Sequence, residues 1–204
     1  MAALTLPETK TTTETRIYKW PRQGEWTYED YRRLPDDRFR YEIIGGNLYM
    51  SPAPRTKHQL ALFELAMALN NFAQEQKAGQ VLIAPIDVIL PDLATPVQPD
   101  IMFIAQDRLE IVREQFIEGA PDLIVEVLSP GNARHDRYTK FRLYLEAGVK
   151  EYWIADPDAC TVDVYVPRGN AYVPLGHFAL DGDIQSELFP ELRIPVKDIF
   201  SFEL

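Results

Sequence analysis

Cysteine is almost missing from this chain. Cys160 stands alone, so no disulfide can close within it and packing must hold the fold. A lone thiol also fits a reducing cytoplasm, the expected location. Long apolar runs are missing too: nothing approaches the roughly 18 residues a membrane helix requires. The first sixteen residues, MAALTLPETKTTTETR, have neither a basic start nor a sustained apolar stretch. They do not read as a secretory signal. Positive charge is scarce, with 21 Lys and Arg against 31 Asp and Glu, a net charge of −10. Such a chain is not built for broad, nonspecific adhesion to nucleic acid. Internal repeats are absent, and no Pro/Gly/Ser-rich stretch marks a linker.

What is present describes a globular domain. The 204 residues are 46% hydrophobic and 25% charged, enough for one sizeable core. Residues 1–24 read as a polar tail or arm and 25–204 as a single domain. WTYEDYRRLPDD suggests a short helix capped by Thr27, and RYEIIGGNLYM a hairpin around Gly45-Gly46. In HQLALFELAMALNNFAQEQK, residues His58, Leu62, Leu65, Leu69 and Phe72 recur at helical spacing, with Gly79 expected to end the helix. QVLIAPIDVIL, VQPDIMFI and DLIVEVL read as strands, and RLEIVREQF as a short helix. ARHDRYTKFRLYLEAG reads as a further helix, KEYWIA as a fourth strand, and hairpins follow. The chain is thus α/β, with a central order of helix, three strands, helix, strand.

Two carboxylates in this pattern call for an explanation. Glu126 lies inside the apolar run DLIVEVL, where a charge is costly unless paired or bound to a metal. Strand parity puts Ile124, Glu126 and Leu128 on one face, and Asp100, Met102 and Ile104 on one face of the neighbouring strand. If the two strands run antiparallel, Asp100 at the start of one meets Glu126 at the end of the other. Two buried carboxylates repel and lose hydration. Mg²⁺, with Mn²⁺ able to substitute, relieves both penalties, because hard cations take oxygen ligands and complete their shell with water and phosphate. Without metal, neutralising Asp100 is therefore expected to stabilise the fold. Lys140 follows Asp136 by four residues on one helix face and can bring a positive charge to the pair. Asp87, in PIDVIL, is either a support for the site or a solvent-facing acid. Ser129 lacks a Gly-x-Ser-x-Gly elbow and reads as a turn residue.

The segments RYEIIGG, QPDIMFI, DLIVEVLSP and DRYTKFRLYLEAGVKEYWIADP resemble the Uma-two family of endonucleases, within the PD-(D/E)XK, restriction-endonuclease-like superfamily. The resemblance covers about residues 25–204. It implies a mixed central sheet flanked by helices, and metal-dependent hydrolysis of DNA. Asp100 and Glu126 then correspond to the motif acids and metal ligands. The superfamily lysine usually stands two residues after the glutamate, where this chain has Leu128, so Lys140 from the next helix takes its place. Glu42 matches an extra acidic position, and His58 an accessory histidine at the start of the first core helix. Arg134 and Arg137 are candidates for gripping phosphate. The alternative is a noncatalytic nucleic-acid-binding or assembly module that keeps the fold. A homodimer is expected from the apolar Val162, Val164, Phe178, Leu188 and Phe189, and from the need to cut both strands of a duplex.

Overall fold

The computed structural model describes residues 18–37, 39–93, 95–130 and 135–202. Thr27 starts the one-turn helix α1 (Tyr28–Tyr31): its hydroxyl accepts from the Asp30 amide, and the Asp30 carboxylate accepts in turn from the Thr27 amide. Strands β1 (Arg40–Ile44) and β2 (Asn47–Ser51) form the expected hairpin. Gly45 and Gly46 turn it with φ of 55° and 72°, the left-handed region a tight hairpin needs.

Helix α2 (Thr56–Gln76) buries His58, Leu62, Leu65 and Leu69 along one stripe. Its left-handed end is Lys77, at φ 50°, and not Gly79. Gly79 instead opens β3 (Gly79–Ile83), where a Cβ would come within 2.1 Å of the Ile104 carbonyl oxygen. The glycine is required by close strand approach, not by helix termination.

The strand expected across 80–90 is divided. After β3, the short β4 (Asp87–Ile89) leaves the central sheet. It pairs in parallel with β6 (Phe116–Glu118), which follows β5 (Ile101–Ala105) and a 3₁₀ turn, Gln106–Ile111. Then come β7 (Leu123–Val127), a π-helical turn (His135–Lys140), α3 (Phe141–Glu146) and β8 (Glu151–Asp156). The long hairpin β9 (Thr161–Arg168) and β10 (Ala171–Phe178) precedes β11 (Asp183–Ile184), β12 (Ile194–Pro195) and α4 (Val196–Ile199).

The central sheet has six strands in the order β10-β9-β8-β7-β5-β3. Only β7 and β8 run parallel; their neighbours are antiparallel, so the sheet is mixed. Read as α2, β3, β5, β7, α3, β8, the core keeps the expected order and is restriction-endonuclease-like. Pleating sends Ile101, Phe103, Leu123, Val125 and Trp153 toward α2 and α4. Met102, Ile104, Ile124, Tyr152 and Ile154 pack with Leu143 and Tyr144 of α3 on the other side.

The C-terminal apolar residues belong to this core. Val162 and Val164 are fully buried, while Phe178, Leu188 and Phe189 pack against the same cluster. The Phe189 ring sits edge-on to Phe103, 4.8 Å between centroids. Their hydrophobicity is thus satisfied within one chain, which removes them as grounds for a homodimer. Among the described residues no helix is long and apolar enough to cross a membrane.

One buried acid ties the sheet together away from the cavity described below. Asp122 accepts from the Ala105 amide at 2.9 Å, Arg108 at 2.8 Å and Lys150 at 2.8 Å. Burial raises its carboxyl, but the amide and the two cations outweigh that and hold it below the usual range. Asp122→Asn is expected to lower unfolding stability by about 3 kcal/mol near neutral pH, measured in urea. A depressed folded-state pKa gives stability that is present above the unfolded value, about 3.9, and lost as pH falls through the folded one. The gap between wild type and variant should therefore close in acid.

Candidate active site

β5 and β7 pair antiparallel, with Ile101 opposite Val125 and Met102 opposite Ile124. Continuing that register by one residue sets Asp100 opposite Glu126. Asp100 is 2% exposed and Glu126 2% exposed, so neither charge is hydrated from outside. Their side chains lie on the α3 side of the sheet, as parity required.

The hairpin and the helix that follows β7 complete the group. Arg40 and Glu42, two apart on β1, both reach the cavity. α2 contributes His58, and the π-helical turn contributes Asp136 and Lys140. All of these side chains border one cavity of about 160 Å³, rimmed by the loops after β2 and β7.

Lys140 is the hub. Its Nζ donates to Glu126 Oε1 at 2.9 Å and lies 3.0 Å from Glu42 Oε1 and 3.7 Å from Asp136 Oδ1. Burial pushes the ammonium down, but these carboxylates raise it well above the ordinary lysine value, so it stays charged. Lys140 is 3% exposed, which excludes the solvated surface lysine that its i, i+4 spacing from Asp136 also allowed. Burial, with Asp100, Asp136 and Glu42 nearby, raises Glu126 well above the usual carboxylate range despite Lys140. Burial likewise pushes Asp136 up to about 6.

Asp100 has different partners. It accepts from Arg40 at 2.8 Å and from the Val127 amide at 2.9 Å. His58 Nε2 lies 3.4 Å from Asp100 Oδ1 but is too poorly aligned to hydrogen-bond, and that nitrogen is left without a partner. The other His58 nitrogen lies 3.3 Å from Ser129 Oγ, so Ser129 helps orient the ring. Burial raises the Asp100 carboxyl, yet His58 and Arg40 outweigh it and hold it far below the ordinary value. The two central acids therefore titrate in opposite directions because each has its own set of neighbours.

Glu42 is 4% exposed and its Oε1 accepts from the Gln98 amide at 2.8 Å. Gln98 also donates to Asp87, which accepts from Tyr31 at 2.7 Å. Asp87 thus supports the Glu42 side of the cavity instead of facing water. Tyr144, one turn beyond Lys140, donates to Glu126 Oε1 at 2.6 Å.

Arg137 does not join the group. It lies 3.1 Å from Asp163 and 3.8 Å from Asp156, at the β8–β9 side of the sheet. Its charge is paired with acids of its own chain, outside the cavity. Arg134 lies outside the described residues. Sequence reading passed over Arg40 and Tyr144. Both had a signal: Arg40 alternates with Glu42 on one strand face, and Tyr144 follows Lys140 by one helical turn.

Among the described residues no three His, Cys, Asp or Glu side chains gather closely enough to hold a metal ion by themselves. Mg²⁺ does not need three. It is commonly held by one or two carboxylates, with water and phosphate completing the shell. Asp100 and Glu126 supply such an oxygen pair at the cavity wall, so the donor set fits.

A family model described as "Putative restriction endonuclease", Uma2, matches residues 28–197. This chain belongs to the Uma2 family. A solved structure also matches the Uma2 chain: the crystal structure of a "putative nuclease belonging to DUF820" from Anabaena variabilis. The TM-score is 0.71 at 25% identity, covering 86% of this chain and 97% of that one. A comparison with curated proteins returned no match. Family and fold both point to a restriction-endonuclease-like nuclease.

Proposed function

We propose that this Uma2 protein is a divalent-cation-dependent endonuclease acting on DNA in the cytoplasm. The observation that carries the reading is the meeting of Asp100, Glu126 and Lys140 at one buried cavity, with the lysine delivered from the helix after β7. Asp100 and Glu126 would hold Mg²⁺, with Mn²⁺ able to replace it. Bound there, the cation would lower the pKa of attacking water and offset charge on the phosphate.

The chain's own groups do the remaining work. Lys140 keeps a fixed positive charge beside Glu126 and orients the water while countering charge that develops on the phosphate. Glu42 also pairs with Lys140 and is itself fixed by the Gln98 amide. Tyr144 anchors one oxygen of Glu126. His58 stands 3.4 Å from Asp100, where its field helps hold that carboxyl low.

Supercoiled plasmid incubated with the protein and Mn²⁺ is expected to convert to open-circular and linear forms. EDTA or Asp100→Ala should abolish the conversion. A folded wild type that leaves plasmid, single-stranded DNA and RNA intact at millimolar Mn²⁺ would favour the noncatalytic module.

A further inference from the structure

The cavity carries more acids than fixed cations. Glu42, Asp100, Glu126 and Asp136 face Arg40, Arg55 and Lys140, with His58 the remaining titratable group on the wall. Lys140 is enclosed by three of the acids and is only 4% exposed at its side chain. Arg40 is placed differently. Its side chain is 23% exposed and, among the described residues, makes its ion pair with Asp100 alone, plus a long contact to the Gln98 carbonyl at 3.4 Å. It also borders a second, wider groove of about 620 Å³, formed with Tyr31, Arg32, Pro35 and Gln59. Of the two cations paired with the cavity's acids, Lys140 is therefore locked and Arg40 stands between two spaces.

We propose that Arg40 is the resident counter-ion of Asp100 and that a divalent cation must displace it to bind. The proposal rests on the metal-dependent reading of this same site. Arg40 NH1 lies 2.8 Å from Asp100 Oδ1, the oxygen that the Val127 amide does not take, with His58 Nε2 3.4 Å from the same oxygen. A guanidinium and a metal ion cannot share that oxygen closely, because like charges at such range repel strongly in a buried site. Arg40 and the Val127 amide hold the Asp100 carboxylate in place without metal, and the guanidinium has the adjoining groove to turn into. Arg40 is thus a positioning residue. It keeps the site preformed while making cation binding weaker than the carboxylates alone would allow.

Mn²⁺ affinity, measured without nucleic acid by calorimetry and by electron paramagnetic resonance, tests this directly. Arg40→Gln and Arg40→Met should bind Mn²⁺ at least tenfold more tightly than wild type. Arg113→Gln, which removes an equal charge from the exposed pair with Glu118, should change affinity less than twofold. Arg40→Lys, the variant most able to fold if the others fail, should fall between wild type and Arg40→Gln. Wild type too weak to measure beside a measurable Arg40→Gln also supports displacement. Equal or weaker binding in the folded Arg40 variants, with wild-type binding lost in Asp100→Asn, overturns the role of Arg40 and leaves the metal site standing. Absence of binding in every protein overturns the metal reading and this inference with it.

Discussion

Lys140→Ala is expected to slow phosphodiester cleavage by about 10²-fold or more, the scale seen when a preorganised electrostatic donor is removed. The same change should also cost about 3–5 kcal/mol of stability without metal, because Glu126, Glu42 and Asp136 all lose their common cation in a buried place. The two effects are separable. Rates are compared at saturating Mn²⁺ with the fold checked by circular dichroism, and stability is measured in EDTA. The double change Leu128→Lys with Lys140→Ala asks whether an ammonium delivered from the strand can replace one delivered from the helix. Leu128 is on the Glu126 side of the sheet and packs in the cluster that includes Leu143 and Tyr144. Partial recovery of the rate is expected, limited by the core packing that Leu128 gives up. Full activity in folded Lys140→Ala would remove the role assigned to the lysine. A folded but inactive double variant would remove the equivalence of the two positions.

Much of this arrangement was legible before any coordinates, for a specific reason. Strand parity has a period of two, so the face of Asp100 and Glu126 followed once the two strands were read correctly. Their meeting needed one further condition, antiparallel pairing of β5 with β7, which the structure supplies. Helical spacing likewise placed Lys140 with Asp136. It could not say that the helix turns its Lys140 face inward, because that depends on how the π-helical turn seats α3 against the sheet. Other points were decided by contacts between distant segments. Gly79 looked like a helix terminator because local sequence carries no trace of the Ile104 carbonyl that excludes a Cβ there. The pairing of Arg137 was not legible because Asp156 and Asp163 arrive from strands farther along the chain. The C-terminal aromatics looked surplus because the nuclease core was counted without the packing of Phe189 on Phe72 and Phe103.

The same limit reversed the sign of a stability expectation. Parity brought two carboxylates together and implied an uncompensated repulsion in the absence of metal, so that neutralising Asp100 would stabilise the fold. Structure assigns each acid its own company. Asp100 has Arg40, the Val127 amide and the nearby His58, and its carboxyl is held low. Glu126 is raised by burial and by the surrounding acids. In EDTA near neutral pH, Asp100→Asn should therefore lower the melting temperature, with a loss of about 2–3 kcal/mol, since it leaves a partly buried guanidinium without its charge partner. Glu126→Gln should raise it, by about 1 kcal/mol, because Lys140 still has Glu42 and Asp136 while the cost of burying an acid there is gone. The pH dependence has opposite signs as well. Asp100 contributes stability above its unfolded pKa, about 3.9, which is lost as pH falls through its depressed folded value. Glu126 imposes a cost that grows as pH rises above its unfolded value, about 4.3, until it ionises in the fold. The advantage of Glu126→Gln should vanish near pH 4, while the deficit of Asp100→Asn should persist there and shrink only in stronger acid. Thermal melts of the two variants from pH 3 to 8 in EDTA decide the matter. A rise in stability for Asp100→Asn would restore the unscreened carboxylate pair and place Arg40 away from Asp100.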